Sequence, residues 1–247
     1  VPYADLEGIQ IYYETAGTGP AAYVFCHGLG GSGAGYAADD MAFWSKYFRV
    51  VTWDNRGLGR SSPAPKYSVP LYARDLDLLM EHLGIERALI HGVSWGGVLV
   101  QQFALDYPQR CAALVIDSSS SEVNVQASEG WYARGEAALA ARPRADQQTP
   151  PVKPEHLDSF IAQSRAVAGL REHPYTPRLK LITCPVFVAG AGRDGVAGAG
   201  GSVILARNLP NSTLQIWQES EHAVYRHERD GFRQAVLQFA RDHKLIS

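Results

Sequence analysis

The 247-residue chain has little of what commits a protein to a special environment. Its three cysteines, Cys26, Cys111 and Cys184, are far apart, odd in number and without CxxC spacing. A disulfide framework is therefore not expected, and each reads as a small buried hydrophobe in or beside an apolar stretch. No apolar run reaches the roughly 18 residues of a membrane span. The stretch Val1-Pro2-Tyr3-Ala4-Asp5 lacks the basic and apolar regions of a secretory signal, so the expected location is cytoplasmic, with no membrane partner. Neither sign of charge predominates: 23 Lys and Arg against 25 Asp and Glu give a formal net charge of −2. No basic stripe is present for nucleic acid to follow. His222 and His227, five residues apart, lack the spacing of ligands on a helix face, and neither metal nor another cofactor is expected.

What is present is an alternation of short apolar runs with helical patterns. A strand-like stretch at 9–13 leads to a turn at 17–20. Runs then follow at 22–26, 50–53, 88–90, 114–116, 186–189 and 214–217, each suited to a parallel strand covered on both faces. Tyr72, Leu76, Leu79 and Leu83 share one helix face, which Gly84 closes. Residues 98–107 read as a helix stopped before Pro108. Phe232, Ala235, Val236, Phe239 and Ala240 mark a final amphipathic helix. This order predicts an α/β fold, a mostly parallel sheet with helices on both faces. Residues 119–178 break the alternation. They carry no strand signal, but two helical stretches flank a loop at 142–154, and the second has an apolar stripe. The expected organisation is a core of 1–118 and 179–247 with a small inserted helical cap at 119–178.

The strongest local pattern is Gly92-Val93-Ser94-Trp95-Gly96, set between the run 88–90 and the helix at 98–107. A G-x-S-x-G pattern between strand and helix makes a tight elbow that exposes the serine at a helix N-terminus. A hydroxyl needs a base to become a nucleophile, and that base needs an orienting partner. The expected chain order is Ser, then acid, then His. His222, in the loop after the run 214–217, is the candidate base, with His227 as the alternative. Asp194, just past the run 186–189, is the candidate acid, and Asp117, at the end of 114–116, competes with it. Ligand-binding groups gather beyond the carboxyl ends of parallel strands.

The chain resembles the esterase and lactonase branch of the α/β-hydrolase superfamily over nearly its whole length. Besides the elbow, His27-Gly28-Leu29-Gly30-Gly31 is similar to the family's oxyanion-loop motif. Asp54-Asn55-Arg56-Gly57-Leu58-Gly59-Arg60-Ser61 is similar to its D-x-R-G-x-G-x-S turn. The resemblance implies an oxyanion hole built from the backbone N–H groups of Leu29 and Trp95, with His27 and the 54–61 turn structural. It also implies a serine hydrolase that cleaves a carboxylic ester or lactone through an acyl-enzyme intermediate, acting on a small molecule as a monomer or homodimer. A carbon–carbon bond hydrolase or a cofactor-free perhydrolase would use the same triad. Outside catalysis stands a receptor-like ligand binder with little turnover. Trp131, Tyr132, Phe160 and Ile161 in the cap are candidate substrate-binding residues. Two departures from the family pattern stand out: Glu221 precedes His222 where glycine is common, and the glycine-rich stretch 195–201 is expected to be a mobile loop.

Overall fold

The computed structural model describes residues 2–33, 36, 38–141 and 152–247. Eight strands form one open sheet: β1 (Tyr3–Leu6), β2 (Ile9–Ala16), β3 (Ala22–Cys26), β4 (Arg49–Trp53), β5 (Ala88–Val93), β6 (Cys111–Asp117), β7 (Val186–Ala191) and β8 (Ser212–Trp217). Their spatial order is β1-β2-β4-β3-β5-β6-β7-β8. The first two pair antiparallel, and β2 meets β4 antiparallel, while every pairing from β4 to β8 is parallel.

Side chains alternate across each strand and so divide the core in two. On one face Val24, Cys26, Ile90, Leu114 and Ile116 pack against α2 (Val69–His82), α3 (Trp95–Asp106) and α6 (Ala199–Asn208). On the other, Tyr23, Phe25, Leu89, Val115 and Phe187 pack against α1 (Ala38–Trp44) and α7 (Arg229–Asp242). Residues of β3 and β5 are buried throughout, which is why their sequences run apolar without a break. Between β6 and β7 lie α4 (Val125–Ala140) and α5 (Leu157–Ala168). Asn124 caps α4 by accepting the Ala127 N–H at 2.8 Å. The expected cap loop at 142–154 falls mostly on residues outside the described ones.

The sequence reading departs from the structure at several elements. Strand β1 has no run to announce it, since four residues with Asp5 among them carry almost no pattern. Residues 214–217 were expected to be covered on both faces, but β8 is an edge strand and Leu214 is exposed. Their apolar side chains reflect strand propensity more than burial. The loop expected at 195–201 is shorter: residues 195–198 form a turn that runs into α6, which starts at Ala199. Gly198 takes φ +73° at the turn, and Gly201 sits so close to Ser120 that a Cβ would come within 2.8 Å of its side chain. The helix after the elbow begins at Trp95, earlier than its apolar pattern indicates. Cys26 and Cys111 are buried and Cys184 is half-buried; all three are free thiols. Among the described residues no helix is long and apolar enough to cross a membrane.

The 54–61 turn is held by buried charge. Arg56 forks onto Asp75 of α2 with two bonds of 2.6 Å, both side chains almost fully enclosed. Asp54 accepts the Gly33 and Arg60 N–H groups, and Ser61 Oγ donates to the Asp54 carbonyl at 2.6 Å. Removing one partner of a buried pair strands the other charge, so Asp75→Ala should lower stability by about 3–5 kcal/mol. Urea denaturation measures this, and a loss under about 1 kcal/mol would show that Arg56 finds solvent instead.

Candidate active site

Five loops converge at the carboxyl end of the parallel strands. The turn after β5 carries Ser94 at φ 56° and ψ −120°, a conformation that costs a non-glycine residue on the order of 1–3 kcal/mol. Its neighbours hold it there. Ser94 N–H donates to the Asp117 carbonyl at 2.8 Å, while Ser119 Oγ and Gly97 N–H donate to the Ser94 carbonyl at 2.7 and 2.9 Å. A side chain on Gly92 would collide with the Gly96 carbonyl. One on Gly96 would collide with the carbonyls of Cys26 and His27 at the end of β3. The two glycines thus let strand, helix and the His27–Gly28 loop close around one serine. A Cβ on Gly28 would stand 3.5 Å from Ser94 Cβ, so this loop lies directly beside the hydroxyl.

The loops after β7 and β8 supply the imidazole and its partner. His222 Nδ1 donates to the Asp194 carboxylate, at 2.9 Å to Oδ2 and 3.0 Å to Oδ1. Asp194 also accepts the N–H groups of Val196 and Ala197 at 2.8 Å each, and its side chain is 1% exposed. Burial alone would raise the Asp194 pKa. The bonds from His222, Ala197 and Val196 outweigh that and hold the carboxyl below its ordinary value. His222 keeps 24% of its side chain open, and it lines a cavity of about 370 Å³ together with Ser94.

Asp117, the competing acid, serves a different neighbour. It is fully buried, and its two oxygens accept the N–H groups of Val224 and Tyr225 at 3.1 Å each, while Ser118 Oγ donates to it at 2.8 Å. Ser118 Oγ in turn accepts the Ala223 N–H at 3.0 Å. Three successive amides after His222 are thereby fixed to the end of β6, with Ala223 in the left-handed region at φ 71°. Burial dominates at Asp117 and pushes its carboxyl up to about 6. Nothing in the sequence distinguished this amide-holding aspartate from an acid facing the imidazole.

The other candidates separate cleanly. Trp95 is the first residue of α3, so its N–H has no carbonyl one turn back to bond. The Leu29 N–H has no hydrogen-bond partner among the described residues. His27 bonds Thr52 Oγ1 at 2.9 Å, and burial, with the charges of Arg226 and Arg60, pushes it down to about 3, so it is neutral. His227 is exposed and does not line either cavity at Ser94. A second cavity of about 350 Å³ also opens at Ser94, bounded by Leu29, Trp95, Val98, Trp131, Val167, Leu170 and Ile204, with Ser118, Ser119 and Ser120 on its wall. Trp131 therefore lies where it was expected. Tyr132 does not: it is 53% exposed. Phe160 and Ile161 lie outside the residues lining both cavities, packing with Ala138 and Leu157 between α4 and α5 and against Leu29 of the loop after β3, where Phe160 also abuts Gly30. Helical spacing turns them toward the partner helix, which the apolar stripe alone could not reveal. The serine wall and Arg134 were missed, although the run Ser118–Ser121 and the i, i+3 spacing of Trp131 and Arg134 were visible.

Comparison with known proteins agrees with this fold. The family model described as alpha/beta hydrolase fold matches residues 23–146, half of the sequence. The chain belongs to the alpha/beta hydrolase fold family. Within that family, a protein of a Caulobacter species assigned as the carbamate hydrolase RutD is 29% identical, over 93% of this chain and 95% of its own length. The 3-oxoadipate enol-lactonase 2 of Acinetobacter baylyi is 26% identical over 93% and 92%. The crystal structure of the enol-lactonase from Burkholderia xenovorans matches this alpha/beta hydrolase fold with a TM-score of 0.77 at 25% identity, covering 96% of this chain and 99% of that one.

The two aspartates near His222 titrate in opposite senses. Asp194, held low, stabilises the fold above the unfolded carboxylate pKa of about 3.9 and loses that contribution as pH falls through its folded value. Asp117, held high, contributes fully below about 3.9 and loses its contribution as pH rises through about 6. In urea titrations at successive pH values, Asp194→Asn should become more destabilising relative to wild type as pH rises toward about 4. Asp117→Asn should become less destabilising between about pH 4 and 6. Parallel profiles for the two variants would contradict these environments.

Proposed function

We propose that this chain is a serine hydrolase that cleaves a carboxylic ester or lactone through an acyl-enzyme intermediate. The observation that carries the reading is the His222–Asp194 bond at the rim of a cavity that Ser94 also lines. In this mechanism His222 Nε2 takes the Ser94 proton as Oγ bonds to the substrate carbonyl carbon. The resulting oxyanion accepts hydrogen bonds from the Leu29 and Trp95 amides. As the carbonyl re-forms, the C–O bond to the leaving group breaks and His222 returns its proton to the departing alkoxide. Water, deprotonated by His222, then releases the acid and restores Ser94. Asp194 holds Nδ1 protonated, so that Nε2 is the basic nitrogen, and offsets the charge that the imidazole gains.

The amides are effective because they stand ready before the charge develops; losing one such donor costs about 3 kcal/mol of barrier. The 350 Å³ cavity, lined mainly by apolar side chains with Ser118, Ser119, Ser120, Glu122 and Asn124 among them, suits a modest acyl group, and sites of this size are ordinary for small molecules. We assign α4 and α5 the role of a cap over it, since Trp131 and Val167 come from them. The enol-lactonase relatives agree with this substrate class.

A fluorophosphonate should label Ser94 in the wild-type protein and not in Ser94→Ala, and that variant should lose at least about a thousandfold in short-ester hydrolysis. Wild-type turnover by Ser94→Ala would end the reading. Asp194→Asn should cost about 10⁴-fold in kcat by favouring the wrong tautomer. The same loss in Asp117→Asn, with Asp194→Asn unaffected, would transfer the acid's role to Asp117.

A further inference from the structure

The cavity that contains His222 has a charge asymmetry that the mechanism leaves unused. Arg134 and Arg226 both line it, and no Asp or Glu is among the described residues that do. The formal charge of the whole chain is −2, so this is a local concentration of cations and not a reflection of composition. Arg134 lies three residues beyond Trp131 on α4, on the same helix face. Its guanidinium stands 5.4 Å from the centroid of the Trp131 ring and 5.8 Å from that of Phe160. Many arginines here pair with a carboxylate, among them Arg56, Arg60, Arg74, Arg110 and Arg165. Arg134 has no carboxylate within 4 Å among the described residues. A guanidinium placed over two rings keeps its planar edge, with its paired donors, free for an incoming anion.

The side of the reaction that this cation addresses follows from the proton. His222 must reach the leaving oxygen to protonate it, so the departing group occupies the His222 cavity and the acyl group the apolar one. Ser94 lines both and stands at their junction. We infer that Arg134, assisted by Arg226, binds a carboxylate on the leaving-group side of the substrate, so that the preferred substrate is an anionic ester, or a lactone whose alcohol arm carries a carboxylate. This inference rests on the serine hydrolase reading and adds the charge of the substrate to it.

The test compares meta-acetoxybenzoate with meta-acetoxybenzamide, two acetate esters whose leaving phenols differ in charge and little in shape. The quantity read is the ratio of their kcat/KM values. Wild type should favour the anion by about tenfold, the lower end of what a charge-assisted bond at an open site contributes. Arg134→Gln should bring the ratio near unity and Arg226→Gln should lower it part of the way, while Arg134→Lys retains most of it. Added salt should lower the wild-type ratio and leave that of Arg134→Gln unmoved. A wild-type ratio of one or less, or one unchanged in Arg134→Gln, overturns the carboxylate subsite while Ser94-dependent hydrolysis of the amide-bearing ester leaves the hydrolase reading standing. Hydrolysis of neither ester, with no phosphonate labelling of Ser94, overturns both.

Discussion

The site depends on a close approach of backbone to backbone. At the end of β5 the chain reverses into α3 around Ser94, and the strand, the helix and the loop after β3 come into contact without room for a Cβ at Gly92 or Gly96. A serine in a sparsely populated conformation persists only where its surroundings over-determine it. Here the Asp117 carbonyl, the Ser119 hydroxyl and the Gly97 amide do so. The outcome is a serine at a helix N-terminus with the Gly28 loop against it, the arrangement on which the proposed oxyanion role of the Leu29 and Trp95 amides rests.

The second half of the site is arranged by division of labour between two carboxylates. Asp194 receives the imidazole N–H and is kept ionised by donors that outnumber the cost of its burial. Asp117 receives backbone amides from the residues just after His222 and, being more deeply buried, sits higher. One orients the ring and the other fixes the chain that bears it. With Ser118 holding Ala223, the imidazole loop is tied to β6, the strand beside the one that presents Ser94. Both the Ser94 turn and the imidazole loop are thus bonded to the end of β6, and Ser94 and His222 line one cavity.

Around this centre the chemistry of the walls differs from side to side. The larger apolar surface, from Trp95, Val98, Val167 and Leu170, lies away from His222, and the guanidiniums lie beside it. On the proposed reading, one end of a substrate would be recognised by burial and the other by charge, two interactions that respond differently to salt and to size.

Strand and helix alternation, the elbow and the chain order of Ser94, Asp194 and His222 were legible from residue types and spacing, because each is set by local periodicity or by a turn that few residues can make. For His27 and the 54–61 turn, the structural reading came from the resemblance to the family. Tertiary structure set the favoured Asp194 against the imidazole and gave the competing Asp117 to backbone amides, since the two stand at the ends of adjacent strands and only the packed loops give them different donors. It also decided that Phe160 and Ile161 pack between α4 and α5, that Tyr132 faces solvent, and that Arg134 joins residues from the loop after β3, the end of β5 and the stretch after β8 on one wall. An apolar stripe or a lone arginine has a direction only when something stands opposite it, and what stands opposite comes from distant parts of the chain.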